Sequence, residues 1–296
     1  MRLASIASHE ASVHADNREL WRVIDDSRGM SPRRREQRRM DTFDTSHGFY
    51  ARQRNVMDPL QHRRERMVEF QIARRGVHDA RLLAAMREVP RESFVSKEME
   101  KFAYDDTALP IAEGQTISQP YIVAMMIDAA ELTPGERVLE VGAGSGYAAA
   151  VVSRMTAEVY AIERHATLAQ SAAKRFAALG YDNIRLRVGD GTRGWPEAAP
   201  FDAILVAASA PEIPPALKEQ LVIGGRLVIP IGGHRWGQAL RKVTRVCQTD
   251  YELKDLGAVA FVPLIGEQGW DEGERRAASM GQPEDNGPPV RNGDAT

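Results

Sequence analysis

The stretch Val138-Leu-Glu-Val-Gly-Ala-Gly-Ser-Gly-Tyr147 limits the possible folds more than any other part of the sequence. A short apolar strand runs into three closely spaced glycines and then into a helix, as at a nucleotide-binding corner of a parallel sheet. Glycine suits such a corner because the backbone turns sharply and a ligand approaches where a Cβ would stand. The stretch therefore predicts an α/β fold with a binding site at the carboxyl end of this strand.

Strand and helix patterns alternate from this corner onward. Helices are predicted at 147–156, before Gly180 and at 214–221, and the strands between and after them cover residues 159–162, 184–188, 201–206, 226–231, 240–246 and 259–262, the last two as an antiparallel pair. Such alternation is typical of a doubly wound, mostly parallel sheet with helices on both faces. Helix patterns at 66–75, from 79 to before Pro90 and from Pro120 to about 132 predict an N-terminal helical subregion.

The two ends of the chain differ from the middle in charge and in apolar content. Residues 1–66 contain 14 Arg and 10 acidic residues, and residues 267–296 contain 3 Arg and 7 acidic residues. Segments that bury little apolar surface do not offset the entropy lost on ordering. We therefore expect a disordered Arg-rich extension over 1–62, one globular domain over 63–266, and a disordered acidic tail over 267–296.

Composition narrows the partners and the compartment. A formal net charge of −2 argues against a dedicated nucleic-acid binder, and apolar stretches such as residues 121–130 are too short to span a membrane. Cys247 is the only cysteine, so neither a disulfide within the chain nor a thiolate zinc cluster can form. We expect a cytoplasmic monomer that binds no nucleic acid, no membrane and no metal.

The spacing of the glycines and the position of Glu163 restrict the class of cofactor that the site can bind. Gly142, Gly144 and Gly146 follow the pattern G-x-G-x-G, whereas a dinucleotide site needs a glycine where Tyr147 stands. This departure disfavours a nicotinamide cofactor. Glu163 ends the next predicted strand, and an acidic side chain there suits both hydroxyls of a ribose without a 2′-phosphate. The alternative for Glu163 is a surface glutamate that caps the following helix.

Three further residues are predicted to hold the same cofactor. Glu140 lies in the strand that leads to the glycines, and Asp190 and Gly191 belong to Gly189-Asp-Gly191 after the strand at 184–188. The carboxylate of Asp190 would accept a hydrogen bond from an adenine amino group, and the glycines would let the base lie against the backbone. The alternative for Asp190 is an ordinary turn residue.

With these residues assigned, the sequence resembles the protein-L-isoaspartate (D-aspartate) O-methyltransferases from about residue 74 to about residue 265. The motifs that carry the resemblance are Ala108-Leu-Pro-Ile111, Gly114-Gln-Thr-Ile-Ser-Gln-Pro120, Val138 to Gly146, Gly189-Asp-Gly191, Ala210-Pro-Glu-Ile-Pro214, Gly224-Gly-Arg-Leu-Val-Ile-Pro230 and Phe261-Val-Pro-Leu264. Methyltransferases in general share the glycine corner, whereas residues 114–120 are specific to this family. The resemblance implies a Rossmann-like methyltransferase fold, S-adenosyl-L-methionine as cofactor, and damaged proteins and peptides as substrates.

The implied reaction is methylation of the α-carboxylate of an L-isoaspartyl or D-aspartyl residue, after which the ester collapses to a succinimide whose hydrolysis restores some normal aspartate. A carboxylate is already ionised at neutral pH, so no general base is required. The resemblance makes Ser118 the catalytic serine, which binds the attacking carboxylate or orients the cofactor, with Thr116 and Ile117 in the same pocket. The alternative for Ser118 is a helix cap just ahead of Pro120.

Substrate binding is assigned to Val262, Pro263 and Leu264, with a core strand as the alternative. Three rival functions remain. A methyltransferase of small molecules would share the glycines and Glu163 but has no need of Thr116-Ile-Ser118. A cofactor-binding scaffold that recruits a partner through its Arg-rich extension predicts a damaged site, yet every matched position is intact. A nicotinamide oxidoreductase is disfavoured by Tyr147.

Overall fold

The structure, a computed structural model, describes residues 58–233 and 237–273. The chain divides into two units, Met1–Met57 and Asp58–Thr296, and the first of these lies wholly outside the described residues. The predictions of disorder for most of the extension over 1–62 and most of the tail over 267–296 therefore concern residues that the structure does not describe.

The first described helix begins before the expected start of the domain. Helix α1 spans Pro59–Arg66, and the Asp58 side chain caps it by accepting a hydrogen bond from the Leu60 N–H at 3.2 Å. The helix continues through a π-helical turn, Met67–Ile72, and ends with a glycine in the left-handed region, Gly76 at φ +100°. Helical structure is thus present four residues ahead of the expected domain start at residue 63. Helix α1 buries no side chain, so its sequence carries no apolar period from which to predict it.

Two longer helices and a small hairpin complete the N-terminal subregion. Helix α2 spans Ala80–Glu88 and helix α3 spans Pro120–Ala129, with a proline at its first position. Between them, strand β1 (Leu109–Pro110) pairs antiparallel with strand β2 (Thr116–Ile117). This hairpin carries Thr116 and Ile117 to the edge of the main sheet.

The main sheet has seven strands in the order β5-β4-β3-β6-β7-β8-β9. They are β3 (Arg137–Val141), β4 (Glu158–Glu163), β5 (Ile184–Val188), β6 (Phe201–Val206), β7 (Leu221–Ile231), β8 (Gln238–Arg245) and β9 (Tyr251–Val259). Strands β3 to β7 are parallel, and β8 and β9 add antiparallel. The chain order reverses between β3 and β6, and ligands bind at such a switch point in doubly wound sheets.

Helices α4 (Tyr147–Ser153), α5 (Ala166–Leu179) and α6 (Pro215–Glu219) connect the parallel strands. Alternate residues of β3 enter different cores, because successive side chains of a strand point to opposite faces. Val138 packs with α2, α3 and α4 on one face, whereas Leu139 and Val141 pack with the cluster around Phe201 on the other. The doubly wound, mostly parallel sheet predicted from the sequence is therefore present.

One predicted strand is wrong. The sequence suggested 259–262 as the partner of β8, whereas the partner is β9, Tyr251–Val259. Strand β9 lies at the sheet edge and exposes most of its side chains, so it lacks the apolar pattern of a core strand. The apolar residues after it leave the sheet and run along the binding cavity instead.

The C-terminal boundary also differs from the expected one. Residues 267–270, assigned to the tail, are fastened to the domain: Glu267 N–H donates to Asp190 Oδ2 at 2.8 Å, and Trp270 N–H donates to the Leu264 carbonyl at 2.8 Å. The indole N–H of Trp270 also donates to the Ser209 carbonyl at 2.9 Å. The charge composition of residues 267–270 could not predict these contacts, because most of them are made by main-chain groups.

The described residues offer neither a membrane-spanning helix nor a cluster of metal ligands. None of their helices combines the length and the apolar character that crossing a bilayer requires. They also contain no cluster of three or more His, Cys, Asp or Glu side chains placed to hold a metal ion.

Candidate cofactor and substrate site

A cavity of about 580 Å³ lies at the carboxyl ends of β3, β4 and β6, where the strand order reverses. Its lining includes the glycine corner, strand β2 of the hairpin and residues 258–265. Of the residues predicted for the site, the cavity is lined by Thr116, Ile117, Ser118, Glu140, Gly142, Gly144, Glu163, Gly191, Val262, Pro263 and Leu264. Gly146 and Asp190 do not line it.

The corner after β3 requires its glycines for different reasons. Gly142 and Gly144 lie at φ +86° and +55°, in the left-handed region that other residues avoid. The Gly142 N–H donates to the Ile162 carbonyl at 2.9 Å, which keeps the turn against β4. A Cβ on Gly146 would stand 2.5 Å from Cζ of Phe176, so this glycine serves the contact between α4 and α5. The corner therefore exposes two of its three glycines to the cavity.

Glu163 connects the corner to the end of β4. Its carboxylate accepts hydrogen bonds from the Gly144 N–H at 2.8 Å and the His165 N–H at 2.9 Å. A carboxylate has about four lone-pair sites, so two acceptor positions remain for ligand hydroxyls. The side chain is buried and lines the cavity, which argues against the surface-cap alternative.

Glu140 adds a second carboxyl group on the adjacent strand. Its side chain is buried, and Oε2 has no hydrogen-bond partner among the described residues. Burial, and secondarily the charge of Glu163, raises the pKa of Glu140 to about 8. A buried acceptor without a partner is costly in a folded protein and is typical of sites completed by a ligand.

Asp190 and Gly191 occupy different surroundings. Gly191 lines the cavity, and a Cβ there would stand 2.4 Å from Cγ1 of Val141. The Asp190 carboxylate caps the short turn Gly191–Arg193 by accepting from Thr192 N–H at 2.9 Å, and it also accepts from Glu267 N–H at 2.8 Å. It borders an adjoining depression shared with residues 265–272. The turn alternative describes these contacts, and the adenine contact stays a prediction.

Ser118 lies between the hairpin and helix α3. The N-cap residue of α3 is Gln119, and no side chain makes a capping hydrogen bond there. The alternative role of Ser118 as the helix cap therefore lacks its geometry. The Ser118 carbonyl accepts from Nη2 of Arg91 at 2.7 Å, and among the described residues its hydroxyl has no hydrogen-bond partner. The hydroxyl thus stands at the cavity wall with its hydrogen-bonding capacity unused.

Main-chain hydrogen bonds hold the wall formed by residues 261–264. Ser209 N–H donates to the Val262 carbonyl and Leu264 N–H donates to the Ser209 carbonyl, both at 2.8 Å. The buried Gln238 amide pairs with Phe261, accepting from its N–H at 2.7 Å and donating to its carbonyl at 3.1 Å. The core-strand alternative for this segment is not what forms, because its only ladder-like pairing is an isolated bridge between Ser209 and Pro263.

Sequence reasoning missed Arg91 and Gln238. Both side chains are polar, both are buried, and both hold the backbone of segments that line the cavity. Neither lies in a motif that identifies burial, because arginine and glutamine are usually exposed.

Comparison with known proteins decides which family has this geometry. The profile of the family described as protein-L-isoaspartate(D-aspartate) O-methyltransferase (PCMT) matches residues 62–269, which is more than half of the chain. The chain belongs to this family. A protein-L-isoaspartate O-methyltransferase 1 from Rhodopseudomonas palustris (strain HaA2) is 58% identical over 207 residues, which cover 70% of this chain and 84% of that protein.

Solved structures agree with the isoaspartate methyltransferase family. One protein-L-isoaspartate O-methyltransferase aligns with a TM-score of 0.64 at 30% identity, over 70% of this chain and 67% of that chain. A Plasmodium falciparum protein described as a member of this family was solved in complex with S-adenosyl-L-homocysteine. It aligns with a TM-score of 0.60 at 28% identity, over 68% of this chain and 98% of that chain. The isoaspartate methyltransferase resemblance and its Rossmann-like methyltransferase fold are thereby confirmed.

Proposed function

We propose that this chain transfers the methyl group of S-adenosyl-L-methionine to the α-carboxylate of L-isoaspartyl and D-aspartyl residues in damaged proteins and peptides. The resulting ester starts a repair that proceeds through a succinimide. Family membership supports the reaction, and the complex of the P. falciparum relative with S-adenosyl-L-homocysteine supports the cofactor. One observation supports it most: the glycine corner with Glu163 and the family-specific segment 116–118 line the same cavity.

The residues of the cavity fit S-adenosyl-L-methionine. Its volume, about 580 Å³, is within the range of roughly 300–1,000 Å³ common for small-molecule sites. The left-handed Gly144 leaves room for a ligand against the corner, and Glu163 has acceptor positions for ribose hydroxyls. Oε2 of Glu140 has no partner among the described residues, and a positively charged ligand beside it would favour the ionised form of this carboxyl group. A site with these features accommodates a cationic nucleoside better than a neutral one.

Methyl transfer to a carboxylate requires little proton transfer by the protein. The bound cofactor supplies an electrophilic methyl group on a positively charged sulfur. The substrate carboxylate is ionised at neutral pH, so the protein need only align it and keep water away. We assign the Ser118 hydroxyl a hydrogen bond to that carboxylate, because Ser118 lines the cavity and its hydroxyl has no partner among the described residues.

Residues 262–264 form the wall that we assign to the substrate peptide. These residues line the same cavity as Thr116 and Ile117 of the hairpin. A substrate peptide held between residues 262–264 and the hairpin would place its carboxylate near the glycine corner. Its backbone would run along a segment that hydrogen bonds with Gln238 and Ser209 hold in place. Closing a reactive carboxylate between two such walls excludes water from the reaction.

The decisive experiment is a methyl-transfer assay with a synthetic isoaspartyl peptide beside its normal aspartyl twin. We expect methyl incorporation into the isoaspartyl peptide and none into the twin, with release of S-adenosyl-L-homocysteine. Equal labelling of both peptides would contradict the specificity. Binding of the cofactor without labelling of either peptide would favour a methyltransferase of small molecules or a scaffold.

We also infer that the chain works as a monomer in the cytoplasm. The single cysteine, Cys247, cannot pair within the chain, as suits a reducing compartment. Light scattering on the purified chain should give the mass of one protomer, 32.8 kDa, and cell fractionation should recover the protein with cytoplasmic enzymes. A dimer mass at micromolar concentration would contradict the first inference, and recovery elsewhere the second.

A further inference from the structure

Arg91 is a fully buried arginine in a place where the fold does not need a charge. It begins the short turn Arg91–Phe94 after helix α2, and its relative exposure is 0%. Its Nε donates to the Ala103 carbonyl at 2.8 Å and its Nη2 donates to the Ser118 carbonyl at 2.7 Å. The guanidinium also lies 4.8 Å from the ring centroid of Tyr147, the first residue of α4 after the glycine corner.

No carboxylate of the described residues lies within 4.0 Å of this guanidinium, unlike that of Arg226, which forms an ion pair with Glu136 at 2.9 Å. Burying a charge without a counter-charge is expensive, and a well-packed apolar side chain would often be at least as stable. The position therefore retains a residue that stability alone would disfavour. The contacts of Arg91 show what it does: it fixes the two ends of the segment 103–118, which contains the β1–β2 hairpin.

We infer that Arg91 is a positioning residue for methyl transfer, which orients Ser118 by holding its main-chain carbonyl from behind the cavity wall. The carbonyl and the side chain branch from the same residue, so fixing the peptide plane restricts the direction of the hydroxyl. The fork of Arg91 suits this task, because a guanidinium donates to two carbonyls in a fixed geometry and a lysine ammonium does not. This inference rests on the proposed function, in which Ser118 binds the substrate carboxylate.

The test compares Arg91→Lys and Arg91→Met with the matched control Arg226→Lys. Arg226 is half-buried and also donates to backbone carbonyls, those of Ala130 and Glu131, but it lies outside the cavity. We expect both Arg91 variants to lower kcat by roughly ten- to a hundredfold, as misplacement of a positioned group does, with cofactor affinity within a few-fold. Arg226→Lys should lower the melting temperature and leave kcat unchanged.

A double-mutant cycle with Ser118→Ala separates positioning from general destabilisation. If Arg91 acts through Ser118, Arg91→Lys should cause little further loss of kcat once the hydroxyl is absent. Independent, multiplicative losses would overturn the inference, as would unchanged kcat in a folded Arg91 variant. Arg91→Met, which buries no unpaired charge, provides a second folded protein if the lysine variant is unstable.

Hydrogen exchange provides a readout that does not depend on activity. In Arg91→Lys, amides of residues 104–119 should exchange faster, while those of β3 and β4 stay protected and Arg226→Lys leaves the segment unchanged. If the wild-type chain fails to methylate an isoaspartyl peptide, the proposed function is wrong, yet exchange still tests whether Arg91 holds Ser118. Unchanged exchange across residues 104–119 would overturn the inference by itself.

Discussion

Glu140 and Glu163 stand on neighbouring strands at one cavity, and the charge of Glu163 adds to the effect of burial in raising the pKa of Glu140. Glu163 has two N–H donors for its carboxylate, whereas Oε2 of Glu140 has no partner in the described part of the chain. The pKa of Glu140 accordingly rises to about 8 from an ordinary value of 4.5, chiefly through burial. At neutral pH this carboxyl group is mostly protonated in the free protein.

Glu140→Gln should therefore change how stability depends on pH. Between pH values of about 4.5 and about 8 the folded wild type holds a proton that the unfolded chain releases, so its free energy of unfolding falls as pH rises. The variant has no carboxyl group at this position and does not lose stability in this way. The difference between its melting temperature and that of the wild type should therefore increase steadily as pH rises across that window. Thermal melts at several pH values measure the gap, and a gap that does not change would contradict the raised pKa.

Glu158→Gln is the matched control, because Glu158 lies on the neighbouring strand β4 and its pKa is shifted in the direction opposite to that of Glu140. Its pKa is lowered chiefly by the hydrogen bond from Arg185, so its contribution to stability is present above the ordinary pKa and lost in acid. The control should consequently lose stability relative to wild type as pH rises from acid, the reverse of the trend in Glu140→Gln.

Ser118→Ala should lower the methylation rate and spare the cofactor. Loss of one positioned hydrogen bond to the reacting carboxylate accounts for roughly ten- to a thousandfold in rate. Cofactor affinity should stay within a few-fold, and the melting temperature should change little because Gln119, not Ser118, is the N-cap residue of α3. Kinetics, calorimetry and thermal melts on one preparation measure all three. Full activity would remove Ser118 from the reaction, and lost cofactor affinity would assign it to the cofactor instead.

At the residue scale, the sequence predicted those cavity-lining residues whose type is required by the backbone conformation or whose position follows from the end of a strand. Gly142 and Gly144 need left-handed backbone, and Glu163 ends a strand beside them. Arg91 and Gln238 were not predictable, because nothing in their local sequence indicates that they are buried against main-chain groups. Asp190 shows the converse: its place after a strand was clear, but its bonds to Thr192 and Glu267 depend on tertiary structure.

The segment that follows β9 is the element whose role the structure changes most. Instead of a core strand and a free tail, residues 261–270 form a strap fastened at Ser209, Gln238 and Asp190. An apolar run such as Phe261-Val-Pro-Leu264 cannot by itself be told from a strand, because either arrangement buries it. Strand β9 was missed for the opposite reason, since an exposed edge strand has little apolar pattern.

Asp190→Ala and Thr192→Val separate an adenine contact from a fastening role. We expect Asp190→Ala to weaken cofactor binding by roughly ten- to a hundredfold, the scale of losing a hydrogen bond to a charged group. Thr192→Val also unfastens the strap, because the Thr192 hydroxyl accepts from the Gln268 N–H at 3.1 Å, but it removes no carboxylate. Its effect on cofactor affinity should be several-fold smaller. Equal losses in calorimetry would mean that Asp190 serves only the strap.

At the scale of the whole molecule, the sequence was most informative about the sheet. Alternating strand and helix periods around one glycine corner leave few topologies open, and the parallel order β5-β4-β3-β6-β7 is one of them. The domain limits were less accessible: the start at Pro59 and the fastened residues 267–270 lie in charged sequence without an apolar period.

Two N-terminal truncations test where the catalytic unit begins. A chain of residues 58–296 should keep its free energy of unfolding within about 0.5 kcal/mol of the full chain, as changes outside a packed core do, and should retain methylation. A chain of residues 73–296 loses Met67, Val68 and Ile72, all buried, and each such loss costs roughly 2–5 kcal/mol. It should fail to fold. Urea titrations measure both, and a large destabilisation of the longer chain would contradict the proposed domain start.

Residues 261–264, which line the cavity, are held through their main chain by hydrogen bonds with Ser209 and Gln238. These bonds do not depend on which side chains the segment carries. The frame and the lining of the pocket are thus separable. Substitutions at Val262 can reshape the surface that a peptide meets without dismantling its support. An enzyme whose substrates are damaged sites in many different proteins gains from such an arrangement, because its selectivity can drift with the proteins around it while its architecture stays the same.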